Sequence, residues 1–268
     1  MVTTGSSKSS SIVSETPPSA DTVEKFISLL SQSFGKVPLT TAFITEIDGV
    51  KADTSPSALT PDRLHKHFSL GIPAAAKANI LLLHDADFKA AALIEPPDFC
   101  GIPPGQARRD PGPVLSEWRS TARLLKSKYL ALPDSGPRSW DTPAAPSQSS
   151  GGPAEDPYPA NFNKDAAVEV RPCYHIAIVA KDPSLSAAQQ ETASKAILEH
   201  VLDKAKQEAV PAWAEASLPD KKQEYERVGF RVVEEVVVGK GKVNEAGWPS
   251  NGGAGVKCWG LIYDQHLQ

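Results

Sequence analysis

Arg171–Leu202 reads RPCYHIAIVAKDPSLSAAQQETASKAILEHVL, and its pattern changes character partway along. Tyr174–Ala180 is short, apolar and partly β-branched, which is the pattern of a strand covered on both faces. Asp182-Pro183 ends it, because proline offers no N–H to a ladder. From about Ala187 the residues Ala193, Ala196, Ile197, Val201 and Ala205 recur at intervals of three and four, the spacing of one helix face. A buried strand thus feeds a helix through a polar loop. The unpaired N–H groups and positive dipole end at the start of such a helix receive phosphate oxygens well.

The flanking chain supplies more strands and helices. Val23, Phe26, Ile27, Leu30 and Phe34 define a core-facing helix, with Asp21 or Thr22 placed to cap it. Leu64, His65 and Phe68 mark a second, short helix, on which His65 and His67 face different directions and so make no metal pair. Asn79–Pro97 holds two apolar runs about a polar turn, an antiparallel hairpin whose last polar residue, Glu95, sits at a strand end. Val114–Leu130 has an amphipathic helical pattern. Beyond the opening stretch, Val210–Ser217 reads as a strand, Lys221–Val228 as a helix, and Phe230–Val238 and Cys258–Ile262 as strands.

Composition bounds the rest. The chain has 268 residues, 40% hydrophobic, enough for a substantial core. A net charge of -4 without a basic stripe argues against a protein that coats nucleic acid or an anionic membrane. Cys100, Cys173 and Cys258 are far apart, which indicates neither a disulfide framework nor a zinc site and fits a reducing cytoplasm. Residues 1–20 are Ser/Thr-rich with no apolar run and read as a disordered leader. Residues 133–164 are rich in Pro, Ser, Gly and Ala and read as a mobile insertion within a single domain spanning 21–268.

Several local runs resemble the GNAT superfamily of N-acetyltransferases, in particular its fungal-type members. The strand ending Val179-Ala-Lys-Asp-Pro183 is similar to the family's hydrophobic-Ala-x-Asp-Pro, and Gln189–Ser194 falls on its Gln/Arg-x-x-Gly-x-Gly/Ala. Thr192 and Ser194 replace the two glycines there, and Glu191 puts a carboxylate beside them, so the phosphate loop is degenerate. Ile94-Glu-Pro-Pro97, Ala214-Glu-Ala-Ser217, Tyr225-Glu-Arg-Val-Gly-Phe230 and the glycine-rich tail from Gly239 to Val256 resemble further family runs, in the family's order.

The resemblance implies an α/β fold of the α+β type, with a mixed, mostly antiparallel sheet, helices on both faces and one splayed parallel pair, Tyr174–Ala180 beside Pro211–Ala216. It implies acetyl-CoA as co-substrate and a small amine as acceptor, in a monomer or homodimer. Ile178, Val179, Ala180 and Lys181 would hold the pantetheine arm as an added strand, and Gln189, Gln190, Glu191, Thr192, Ala193 and Ser194 the pyrophosphate. Tyr225 matches the family's general acid. His175, on the same face as Ala177 and Val179, and Glu215, at the partner strand's end, are candidate bases. The altered loop equally suits a non-catalytic relative that keeps the fold as a binding or regulatory module.

Overall fold

A computed structural model describes residues 11–52, 59–99, 101, 112–131 and 170–264. Seven strands join in one sheet of order β1-β2-β3-β4-β5-β7-β6. In chain order these are β1 (Ile12–Glu15), β2 (Leu81–Asp85), β3 (Ala90–Glu95), β4 (Tyr174–Lys181), β5 (Ala212–Ala216), β6 (Arg231–Val238) and β7 (Val256–Tyr263). Only β4 and β5 run parallel, and every other neighbouring pair is antiparallel, as the sequence implied. The parallel pair needs a crossover, which the helix between them provides.

Among the described residues seven helices cover the sheet: α1 (Ala20–Ser33), α2 (Pro38–Ile47), α3 (Pro61–Phe68), α4 (Ile72–Ala76), α5 (Pro113–Tyr129), α6 (Ala187–Gln207) and α7 (Pro219–Arg227). Alternation along the hairpin decides which helix each side chain meets. Leu82, Ala91 and Leu93 pack with Phe26, Ile27 and Leu30 of α1, whereas Leu83, Ala92 and Ile94 join Ile197, Val201 and Ala205 of α6. The other half of the sheet is covered by α5, where Leu125 meets Trp213 and Ile262.

Three sequence expectations change. Ile12–Glu15 pairs with β2 as an edge strand inside the expected leader of residues 1–20, whose first ten residues lie outside the described ones. Ser19, rather than Asp21 or Thr22, caps α1 by accepting from the Thr22 N–H. Helix α2 was not read as an element of its own. The insertion expected at 133–164 lies outside the described residues.

Gly229 shows why one motif carries glycine. It closes α7 at φ 102, a left-handed backbone that side chains rarely adopt, and a Cβ there would stand 3.3 Å from the Tyr263 ring. That turn returns Phe230 to donate its N–H to the Tyr225 carbonyl and stacks the two rings edge to face at 5.3 Å.

Candidate active site

Strand register assembles the central cluster. Glu95 of β3 lies opposite His175 of β4, and His175 lies opposite Trp213 of β5. Residues in register across adjacent strands share a face, and Glu215, two residues after Trp213, returns to it. His175 therefore meets carboxylates on both sides: Nδ1 is 2.6 Å from Glu95 Oε2 and Nε2 is 2.7 Å from Glu215 Oε2. Trp213 Nε1 donates to the other Glu215 oxygen at 2.6 Å, and Lys126 of α5 reaches within 4.0 Å of Glu95.

Burial by itself opposes charge on the imidazole, but the Glu215 and Glu95 carboxylates outweigh it and raise the His175 pKa to about 9. Burial likewise pushes Glu215 up, and the facing imidazolium outweighs this and brings it down to about 2. Glu95 is lowered too, its burial overcome by His175. At neutral pH the cluster is a cation held between two anions. A charged imidazole of this kind donates from both ring nitrogens, one to each carboxylate.

Immediately past this cluster β4 and β5 part. Their pairing ends at Ile176 opposite Ala214, although both strands continue. On the other edge of β4 the register steps from Ile94 opposite Ile176 to Leu93 opposite Ile178, leaving Ala177 as an extra residue. Such a bulge bends a strand and changes its side-chain parity. Val179 accordingly packs with Tyr174 and Ile176 in the α6 cluster, on the face opposite His175, and not beside it as simple alternation suggested. Ile178, Val179, Ala180 and Lys181 stay paired with β3 while the edge toward β5 is unpaired among the described residues.

The start of α6 differs from the expected anion cradle. Ser186 caps the helix, with its side chain accepting from the Gln189 N–H while the Gln189 side chain accepts from the Ser186 N–H. Gln190 already donates its N–H to the Ser186 carbonyl at 3.0 Å, and Glu191, Thr192, Ala193 and Ser194 follow inside the helix. Their amides are thus spent on the helix ladder, and only Ala187 and Ala188 keep first-turn N–H groups outside it. The hydroxyls are spent as well: Thr192 Oγ1 donates to the Ala188 carbonyl and Ser194 Oγ to that of Gln190, each at 2.8 Å. Glu191 faces solvent and pairs with Arg227 at 3.0 Å. Gln190–Ser194, the stretch expected to grip a pyrophosphate, thus lie in the body of the helix and not in a loop before it.

Positive charge at the same mouth comes instead from side chains that the sequence reading did not single out as a pair. Lys181 and Lys221 both approach the buried Glu224 carboxylate, at 3.0 and 3.2 Å. Burial brings the Lys221 pKa down to about 8 against the pull of Glu224.

One cavity of about 750 Å³ runs past all of these groups, lined among others by Lys181, Lys221, Tyr225, His175, Glu215 and Glu95. Tyr225 is buried beside Phe230, and that burial, reinforced by the nearby Glu224 and Glu215 charges, raises its pKa and keeps its hydroxyl protonated. Cys173 also lines the cavity, but burial lifts its thiol to about 11, so it carries no thiolate.

The sequence matches no family model and, among curated proteins, no relative. Solved structures do match in fold. The C-terminal condensation domain of Ebony, solved with β-alanyl-dopamine, aligns over 94% of this chain and 98% of its own at a TM-score of 0.55 and 11% identity. A mosquito arylalkylamine N-acetyltransferase (like 5b) aligns over 94% and 99% at 0.49 and 12% identity. Arylalkylamine N-acetyltransferase 2 from Aedes aegypti aligns over 94% and 98% at 0.45 and 15% identity. With its mixed sheet and, among the described strands, one parallel pair, the chain shares an α/β fold with the Ebony condensation domain.

Proposed function

We propose that the protein is an acyl-CoA-dependent N-acetyltransferase acting on a small amine. The observation that carries the reading is the parting of β4 and β5 after Ile176, directly beside the His175 cluster and open to a cavity that also reaches Tyr225. Acetyl-CoA suits this site along its arm, since the unpaired edge of Ile178–Lys181 can pair with pantetheine amides as an added strand would. Toward the phosphates, the N–H groups of Ala187 and Ala188 and the ammonium groups of Lys181 and Lys221 replace the expected loop. Bound there, acetyl-CoA would supply an acyl thioester open to attack by nitrogen.

The chain's own groups then have distinct roles. Glu95 and Glu215 offer carboxylate oxygens to an incoming amine, their charge balanced by His175 and Lys126. Glu95, the more exposed carboxylate at 24% against 9%, is the group placed to take the amine's proton toward solvent. Tyr225 holds its proton at Oη and hands it to the departing thiolate. Thiol release from acetyl-CoA across an amine panel tests the reading. Tyr225→Phe is expected to lower kcat about 10²-fold or more with KM nearly unchanged, and an unchanged kcat would remove Tyr225 from the chemistry.

A second reading, a non-catalytic binding module on the same fold, draws support from the α6 start, where Gln190–Ser194 are committed to their own helix. Acetyl-CoA titration without heat of binding and without thiol release would favour it.

A further inference from the structure

Two lysines of the cavity wall converge on one carboxylate. Lys181, at the end of β4, and Lys221, in the first turn of α7, both line the cavity, while Glu224, three residues farther along α7, is buried. Lys181 Nζ donates to Glu224 Oε2 at 3.0 Å, and Lys221 Nζ stands 3.2 Å from the same oxygen. The two grips are unequal. Lys221 Nζ lies within the wall and makes no aligned hydrogen bond among the described residues, so its donors remain to be used. The charges that face Lys221 are Lys181 from β4 and Glu224 from its own helix, with Asp220 and Lys222 flanking it in the chain. From the other elements around α7, α6 brings Ser194 to Glu224, the Glu215 charge of β5 is felt one turn on at Tyr225, and Trp259 of β7 meets Lys222.

One carboxylate balances only one of two ammonium groups. Burial and the neighbouring Lys181 accordingly outweigh Glu224 and bring the Lys221 pKa down to about 8. An anion entering the cavity supplies the second negative charge, and the flexible four-carbon stem of lysine lets Nζ turn toward it. We propose that Glu224 is a positioning residue that gathers Lys181 and Lys221 into a receptor for phosphate oxygens, and that occupancy of this receptor draws a proton from solvent onto Lys221. The sign follows from the charge: affinity is complete while Lys221 is charged, below about pH 8, and falls as pH rises through 8. The proposal rests on the acetyltransferase reading for naming acetyl-CoA as the source of the phosphate, though not for the binding.

Calorimetric titration from pH 7 to 9, in buffers of different ionisation enthalpy, reads both the affinity and the protons taken up. The probes are acetyl-CoA and ADP-ribose, a pyrophosphate diester with no titrating phosphate proton in this range. Wild type is expected to take up nearly one proton per ligand at pH 9 and almost none at pH 7, with affinity falling about tenfold between them. Lys221→Arg stays charged throughout and should abolish the uptake and flatten the affinity, although His175, with its pKa of about 9, is still present in that variant. Glu224→Gln keeps both lysines but removes their shared charge, so with ADP-ribose the uptake should already appear at pH 7, and a Glu224 that merely supports the fold would not move it. Thermal unfolding checks that both variants fold. Binding without proton uptake, uptake that persists in Lys221→Arg, or failure of both probes to bind overturns the inference. Proton uptake with ADP-ribose in a protein that releases no thiol from acetyl-CoA leaves it standing and sinks the acetyltransferase reading instead.

Discussion

The two ends of β4 handle their polar groups in opposite ways. At its start, His175–Ile176 pairs with strands on both sides, and His175 is fixed between Glu95 and Glu215. Toward its end the strand keeps one neighbour, a bulge at Ala177 turns it, Lys181 and Lys221 share the buried Glu224 of α7, and Glu191 pairs with Arg227 at the surface. The start is a closed electrostatic unit, whereas the end is an opening with adaptable charge around it. Buried charges depend on one another because no water is present to replace a lost partner, while exposed ones are interchangeable with solvent. Substitutions at the start should therefore cost stability, whereas substitution of the exposed Glu191 at the end should change ligand affinity at most.

The largest effect is expected for His175→Ala. Removing the imidazolium leaves two carboxylates facing each other across a mostly buried gap, and breaking a buried pair in this way costs about 3–5 kcal/mol. Urea unfolding at pH 7 measures it. A loss below about 1 kcal/mol would mean that the start of β4 is no more tightly bound electrostatically than its end.

The pH dependence of stability sharpens the same point. His175 has a folded pKa of about 9 against an ordinary 6.5, so its stabilisation is complete below about 6.5 and is lost as pH rises through about 9. Glu215, at about 2 against 4.5, contributes fully above about 4.5 and loses that contribution as pH falls toward 2. The cluster is most stabilising between about pH 4.5 and 6.5. Lys221 acts with the opposite sign above pH 8, because its pKa is lowered, so the measurement is the difference between wild type and His175→Gln. That difference should shrink steadily from pH 6.5 to 9, and a flat difference would contradict a charged His175.

How much of this was legible in the sequence follows from how far apart the cooperating residues lie. The strand and helix of the opening stretch are marked by local periodicity with Asp182-Pro183 between them, and α6 begins at Ala187 as read. Hairpin, parallel pair and the closing strands were equally legible because each carries its own pattern and punctuation. Strand β1 was not, since Ile12 and Val13 are too few apolar residues to stand out from a Ser/Thr-rich run, and only β2 beside them makes a strand. Helix α2 was missed for a related reason: its apolar residues Leu39, Ala42, Phe43 and Ile44 crowd together and blur the helical period. At the site, Glu95, His175 and Glu215 were each noticed as separate residues, but their meeting depends on register across three strands. Lys126 and Trp213 complete the cluster only through that register, although the Trp213-x-Glu215 alternation signals a shared face. At the α6 start the motif places residues in order without saying where the helix ladder begins, and the ladder takes in Gln190.

The smallest effect is expected at the α6 start. Glu191 was read as a carboxylate repelling a bound pyrophosphate from the first turn, in which case Glu191→Lys would tighten acetyl-CoA binding. In the fold it stands past the first turn, points to solvent and is offset by Arg227 at 3.0 Å. An exposed pair of this kind is worth roughly 0.2–1 kcal/mol, and its charge is screened further by salt. Glu191→Gln should accordingly change acetyl-CoA affinity by no more than about 1 kcal/mol, roughly fivefold. Lys221→Ala, at the same mouth but inside the cavity wall, should weaken binding by more than Glu191→Gln alters it, since its ammonium is one of the two charges available to a phosphate there. Titrating both variants at low and high salt ranks them directly. If Glu191→Gln tightens binding tenfold while Lys221→Ala leaves it unchanged, the anion sits over the second turn of α6 after all, and the end of β4 is a built phosphate site of the kind the sequence motif describes.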